Sequence, residues 1–201
     1  MKKNQEKRVK YIFIGLFIFL AIILIFALVR QQTKVNERFF DYNGFKVEKT
    51  IEGYKLGLYL NNAKDPVYLR IREDPREIDN ISIGSNVKND ILSKKQIYTV
   101  IDPEENLTGV TTLAALELDK VIDNPFLFNI PLNSAFVKDF KNYPVKNCQD
   151  VDETIGIIWL RLGEETKVYS ENGCVFVEAD KEENLVKAAN KLDLVLLGMA
   201  K

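Results

Sequence analysis

Gln96 to Ile122 reads QIYTVIDPEENLTGVTTLAALELDKVI, and this stretch decides the fold class. QIYTVID is rich in β-branched and aromatic residues, which predicts a strand. PEENLTGV is an acidic turn. TTLAALELDKVI then places apolar residues, Leu113, Leu116 and Ile122 among them, at helical spacing. A second stretch, Cys174 to Leu196, repeats the plan as CVFVEADKEENLVKAANKLDLVL. Both carry a strand, an acid, Glu-Glu-Asn-Leu, then Ala-Ala and Leu-Asp in a helix, with a three-residue gap between the two. Duplication accounts for the likeness. So do the shared needs of any βα unit: a polar turn, an acidic first helical turn favoured by the dipole, and small residues where helix meets sheet. Two such units predict an α/β or α+β domain, with two helices packed on one mixed sheet of some six to eight strands.

The flanking segments supply the remaining strands. FKVEKTI and YKLGLYL alternate around Glu52-Gly53, which predicts a hairpin. PVYLRI follows as a third strand with Pro66 at its start. Residues 72–79, REDPREID, are almost wholly charged. A strand is expected around Ala135-Phe136-Val137. TIGIIWLRL is a continuous apolar run, as in a strand covered on both faces, and Trp159 within it reads as a core or sheet-face aromatic. Asn172-Gly173 marks the turn between the last two strands. The final helix lines up Leu185, Ala188, Ala189, Leu192, Val195 and Leu196 along one side.

At the other end, Tyr11 to Val29 holds nineteen residues without a charge, YIFIGLFIFLAIILIFALV. As a helix it is roughly 28 Å long, close to the hydrocarbon thickness of a bilayer. It exceeds the about 7–15 apolar residues of a cleaved signal peptide, and Ala27-Leu28-Val29 makes a poor cleavage site. An uncleaved transmembrane helix is expected. Lys2, Lys3, Lys7, Arg8 and Lys10 precede it, and Arg30, Lys34 and Arg38 follow. This bias predicts a single-pass protein of the cell membrane, N-terminus inside and the long domain outside. The expected organisation is a basic cytoplasmic tail over 1–10, a transmembrane helix over 11–29, a tether over 30–41 and an extracytoplasmic domain over 42–201.

Across 201 residues, 28 Lys and Arg stand against 29 Asp and Glu, and histidine is missing. That excludes His-dependent triads, His-ligated metals and imidazole pH switches within this chain. Without residues 1–10, five basic and one acidic, 23 basic and 28 acidic residues remain, near −5, which speaks against nucleic acid. Two cysteines are too few for a four-thiolate site. In an extracytoplasmic domain Cys148 and Cys174 are expected to pair. The alternative is two free thiols, with Cys174 a small buried strand residue. Asn80-Ile81-Ser82 and Asn106-Leu107-Thr108 match the glycosylation triplet. The sequence has no Walker loop, Gly-x-Gly-x-x-Gly, Gly-x-Ser-x-Gly or Cys-x-x-Cys, and calls for no cofactor.

YNGFKV with GYKLGLYL, LRIREDPREIDNI, IYTVIDPEENLTGVTTLAALEL and GCVFVEADKEENLVKAANKLDLVLLGM together resemble a group of uncharacterised, membrane-anchored archaeal proteins. The resemblance covers residues 42–199. Arg72-Glu73-Asp74-Pro75-Arg76-Glu77 is its most specific element. It implies an N-terminal anchor, a small domain with an Ile-Asp-Pro strand end, paired cysteines and a C-terminal helix ending near Leu-Gly. It brings no activity. Asn190 departs from the group, where Ala-Ala-Asp is expected.

Arg70, Arg72 and Arg76 with Glu73, Asp74 and Glu77 form the densest charge cluster. It reads as a surface whose arginine forks hold a carboxylate or phosphate, or as a solvated turn whose charges pair among themselves. Asp102, at a strand end with Glu104 and Glu105 beyond, is the most enzyme-like position. With Asp74, these carboxylates would act as acid and base or hold Mg²⁺ or Ca²⁺; the plainer reading is helix-start chemistry. Asp150, Asp152 and Glu153 lack the ligand spacing of a Ca²⁺ loop, and no metal site is assigned. Three functions follow as expectations: an anchored binding or assembly module with a protein partner, a membrane-tethered hydrolase or divalent-metal enzyme, and a self-associating subunit using Phe39-Phe40 and the transmembrane helix.

Overall fold

The computed structural model describes residues 16–26, 30, 38–59 and 65–201. The chain divides into two units, Met1–Phe40 and Asp41–Lys201. In the first, residues 16–26 form a helix, α1, with its apolar side chains exposed except for partial cover at Ala21. Among the described residues no helix is long and apolar enough to cross a membrane. The expected span over Tyr11–Val29 falls partly on residues 11–15 and 27–29, which lie outside the described ones. So do the basic tail and most of the tether.

The strands are β1 (Phe39–Tyr42), β2 (Phe45–Thr50), β3 (Gly53–Leu58), β4 (Val67–Ile71), β5 (Ser82–Ile83), β6 (Gln96–Ile101), β7 (Leu132–Phe136), β8 (Ile155–Leu162), β9 (Lys167–Glu171) and β10 (Cys174–Ala179). The helices after α1 are α2 (Val87–Leu92), α3 (Gly109–Ile122) and α4 (Glu182–Leu196), with one 3₁₀ turn at Cys148–Asp150. The strands form two sheets rather than the single sheet expected. One has the order β1-β2-β3-β4; the other has the order β5-β9-β10-β8-β6-β7. The reason is local. β2, β3 and β4 pair antiparallel through short connections, and β4 leaves into the charged turn instead of a crossover helix, so this meander stays apart from the parallel strands.

The meander buries one face. Val47 stands opposite Leu56, and Leu56 opposite Leu69; with Leu58 and Ile71 these are all buried. Burying a side chain of this size stabilises by about 1.5–3 kcal/mol. Lys55 and Tyr68 belong to the outer face, where the Lys55 ammonium sits 3.8 Å from the ring centroid. Gly53 closes the β2–β3 turn at φ +124°, where a Cβ would run into the Ile71 carbonyl.

In the larger sheet β6 pairs parallel with β7 and β8, and β8 pairs parallel with β10. β9 and β10 form an antiparallel hairpin through Asn172 (φ 52°) and Gly173 (φ 78°), the left-handed pair that such a turn requires. β6–α3 and β10–α4, the two look-alike segments, therefore run the same way in one sheet, and α3 packs along α4. Leu185, Ala188, Ala189, Leu192 and Leu196 of α4 are buried as the periodicity predicts, while Val195 is half-buried. Asn190, Lys191 and Asp193 are buried too. The polar side of α4 is covered because it faces the end of the meander: Asn190 Oδ1 accepts from the Arg72 and Glu73 amides at 3.0 and 3.1 Å. On α3, Leu116 is exposed and Ala114, Leu118, Val121 and Ile122 form the core stripe. Helix α2 escapes a periodicity reading because its only buried residues, Val87 and Ile91, make a single i, i+4 pair.

Candidate functional site

β6 and β7 end side by side, with Ile101 opposite Phe136, and α3 starts just beyond β6. In sheets of this kind ligands collect at the carboxyl ends of parallel strands. A cleft of about 510 Å³ lies there. Its floor is Thr99, Ile101 and Leu160, and one wall is Thr111, Thr112 and Ala115 from the first turns of α3. Ser134 and Phe136 of β7 make the second wall, with Phe140, Lys141 and Tyr143 from the loop that follows. The Phe136 ring stands 4.8 Å from Phe140 and 5.5 Å from Tyr143 between centroids. The loop turns back because Lys141 (φ 48°) and Asn142 (φ 61°) are both left-handed. Its return is pinned along β7 by Phe136 N–H to Pro144 O and Lys146 N–H to Phe136 O, both 2.9 Å.

Thr99 is 4% exposed, and its hydroxyl has no hydrogen-bond partner among the described residues. Such an orphan costs about 1–3 kcal/mol, so it stands out in a folded domain. The amino end of α3, in contrast, has acceptors for its Thr108, Val110 and Thr111 amides. Thr108 is its N-cap, and no acid stands in its first turn. The negative charge comes instead from Glu182 of α4, whose carboxylate accepts from Thr108 N–H (2.6 Å), Thr111 N–H (3.1 Å) and the Thr111 hydroxyl (2.7 Å). Burial would raise the Glu182 carboxyl, but the Thr111 and Thr108 donors hold it below its ordinary range.

Asp102 lies directly after β6, as expected, but it is occupied. It accepts from the Glu104 N–H at 2.9 Å and pairs with Lys138 at 3.1 Å; Lys138 also holds Glu104 at 2.6 Å. The Glu104 amide first, then Lys138, keep the Asp102 carboxyl below the ordinary carboxylate range. Glu105 accepts from the Leu162 N–H at 3.2 Å, and burial pushes its carboxyl up. This group clasps the ends of β6, β7 and β8 together. Asp74 is not part of it. It belongs to the turn after β4 and is gripped by Arg76 at 2.6 and 2.9 Å; burial works against its ionisation, and the Arg76 bonds override this and hold the carboxyl low. Among the described residues no group of three or more Cys, Asp or Glu side chains is placed to hold a metal ion.

The other two arginines have carboxylates as well. Arg70 pairs with Glu52, and Arg72 Nε donates to Glu117 at 2.8 Å. Glu117, 1% exposed at its side chain, also takes Lys120 at 2.6 Å and the Asn190 amide at 2.9 Å. Asn190 thus joins the meander to α3 by donating to Glu117 and accepting from the Arg72 and Glu73 amides. Lys191, also buried, donates to Asp79 at 2.9 Å. Asp193 sits fully buried beside this network. Burial first, then repulsion from Glu117, push its carboxyl well above the usual range, and neither oxygen has a partner among the described residues.

Cys148 and Cys174 form a disulfide, with 5.3 Å between their Cα atoms. It ties the 3₁₀ turn to the start of β10 on the face that carries Ile157 and Phe176. Trp159 lies on that same face, 5.8 Å from Phe176. Asp150 and Asp152 are spent on turns: Asp150 accepts from the Asn147 N–H and Asp152 from the Thr154 and Ile155 amides.

The residues that build the cleft escape a motif search because no motif joins them. The one local signal is a hydroxyl, Thr99, at an inward position of β6, whose other buried residues, Ile97 and Val100, are apolar. No family model matches this chain, and no curated protein or solved structure matches it.

Proposed function

We propose that this protein is a single-pass membrane-anchored binding module that displays its disulfide-linked α/β domain outside the cytoplasm. The Cys148–Cys174 disulfide carries the reading, because such bonds persist in oxidising compartments and are rare in the cytosol. The uncharged run Tyr11–Val29 and its basic flank support the anchor and its direction. Binding rather than turnover is supported by the 510 Å³ cleft, and by the carboxylates at the strand ends being engaged with Lys138 and main-chain amides. The partner is a protein, a second copy of this chain, or a ligand delivered by either.

The test is differential alkylation of the full-length protein in intact native membranes, using a membrane-impermeant maleimide with and without an impermeant reductant, followed by peptide mapping. The expected result is a linked Cys148–Cys174 peptide that becomes labelled after reduction without permeabilisation. Free labelling of both thiols without reductant, or labelling only after permeabilisation, would overturn the reading.

A further inference from the structure

We infer that the cleft at the ends of β6 and β7 binds a small aromatic carboxylate that carries a hydroxyl at its opposite end. This deepens the binding reading and rests on it. At roughly 30 Å³ per water-sized volume, 510 Å³ holds about seventeen such volumes, which is room for a body of about a dozen non-hydrogen atoms with some water left beside it. The aromatic wall of Phe136, Phe140 and Tyr143 suits a ring, since tilted and edge-on ring pairs are favourable beyond simple burial.

Two polar groups of the lining supply the recognition. The Thr99 hydroxyl at the floor is buried and unpartnered. A ligand hydroxyl reaching it satisfies a group the protein leaves orphaned, which favours a hydroxylated ring over a plain one. Lys141 is the lining cation. Its ammonium lies 4.8 Å from the Phe140 ring centroid, and it has no carboxylate partner among the described residues. The α3 amino end does not compete for the anion, because Glu182 already fills it and repels a second negative charge there. One lysine without main-chain donors matches a single carboxylate better than a phosphate dianion.

The experiment measures binding of para-hydroxyphenylpropionate, its amide, and plain phenylpropionate to the full-length protein in nanodiscs by saturation-transfer NMR, with empty nanodiscs as the control for lipid partition. The hydroxylated acid is expected to bind with Kd below about 1 mM, roughly fivefold to tenfold tighter than either analogue. Thr99→Val removes the hydroxyl without changing the shape, and should erase the advantage over plain phenylpropionate alone. Lys141→Asn keeps a residue that tolerates left-handed backbone, and should erase the advantage over the amide alone. Absence of binding by all the probes, equal binding of acid and amide, or preferences unchanged in both variants would overturn the inference. The alkylation result would stand whichever way the probes behave, so a wrong ligand class is distinguishable from a wrong location.

Discussion

Replacing Asp193 with asparagine should stabilise the protein, and by an amount that grows with pH. Asp193 is an acid in a fully buried place on α4, facing Glu117 and Lys120 from α3 with the Asn190 amide alongside. Burial and the Glu117 charge raise its pKa, so the folded state holds a proton that the unfolded state releases near pH 3.9. For a raised acid the folded state is undisturbed below the unfolded pKa and loses stability as pH climbs towards the folded pKa. The loss reaches at most about 1.4 kcal/mol for each pH unit in that window. From pH 4 to pH 6 it accumulates to as much as about 2.7 kcal/mol. Asparagine has the same shape and never ionises, so the variant escapes this loss. In a domain of this size 1 kcal/mol moves Tm by about 2–4 °C, so the gap at pH 6 is about 5–10 °C at most and near zero at pH 4. Thermal unfolding of both proteins in nanodiscs, followed by circular dichroism from pH 4 to pH 8, reads it directly. A variant that melts below the wild type at every pH, or tracks it at a constant offset, would refute the argument that Asp193 is buried as a neutral acid.

The other predictions concern named contacts. Glu182→Ala removes the shared cap of α3 and should cost about 1–2 kcal/mol, with hydrogen exchange accelerating first at the Thr108 and Thr111 amides; because the Glu182 carboxyl is held low, the wild-type advantage is present at neutral pH and is lost as pH falls below the ordinary glutamate range. Asn190→Asp sets a second carboxylate against Glu117, and should lower stability by about 2–3 kcal/mol at pH 7 in chemical denaturation, with partial recovery at pH 5. Removing both Cys148 and Cys174 as alanines opens a loop with a sequence separation of 26, worth about 3.5 kcal/mol in the chain-entropy view, or about 10 °C in Tm. Asp102→Asn keeps the acceptor for the Glu104 amide and loses only the Lys138 pair, so a change in unfolding free energy above about 1 kcal/mol would contradict its assignment as a partly exposed clasp.

What was legible in the sequence is what is fixed by neighbours. The β2–β3 hairpin follows from alternation around Glu52-Gly53, the β9–β10 hairpin from Asn172-Gly173, and both βα units from the change of period after Ile101 and Ala179. Pairing between distant segments is written in no local pattern, so the division into two sheets was not readable. Nor was the covering of the polar side of α4, which turns Asn190, Lys191 and Asp193 from an expected solvent face into an interior. For the site, Asp102 could be placed at a strand end from sequence alone, but its neutraliser, Lys138, comes from beyond β7. The cleft depends on the loop at Lys141-Asn142 folding back, and two adjacent left-handed residues without glycine give little warning of that.

The Glu182 cap has a consequence for the order in which the domain can be made. As the chain emerges, β6 and α3 appear long before the side chain that closes the amino end of α3, and before β10, which must slot between β8 and β9. A nascent domain thus passes through a state with a bare helix end and an unfilled slot in the middle of its sheet, both open to chaperones and to wrong pairing. The segment from Cys174 to the end of α4 acts as the closing piece, and a chain halted just short of it would be expected to leave little that folds, however much of the sheet sequence it already contains.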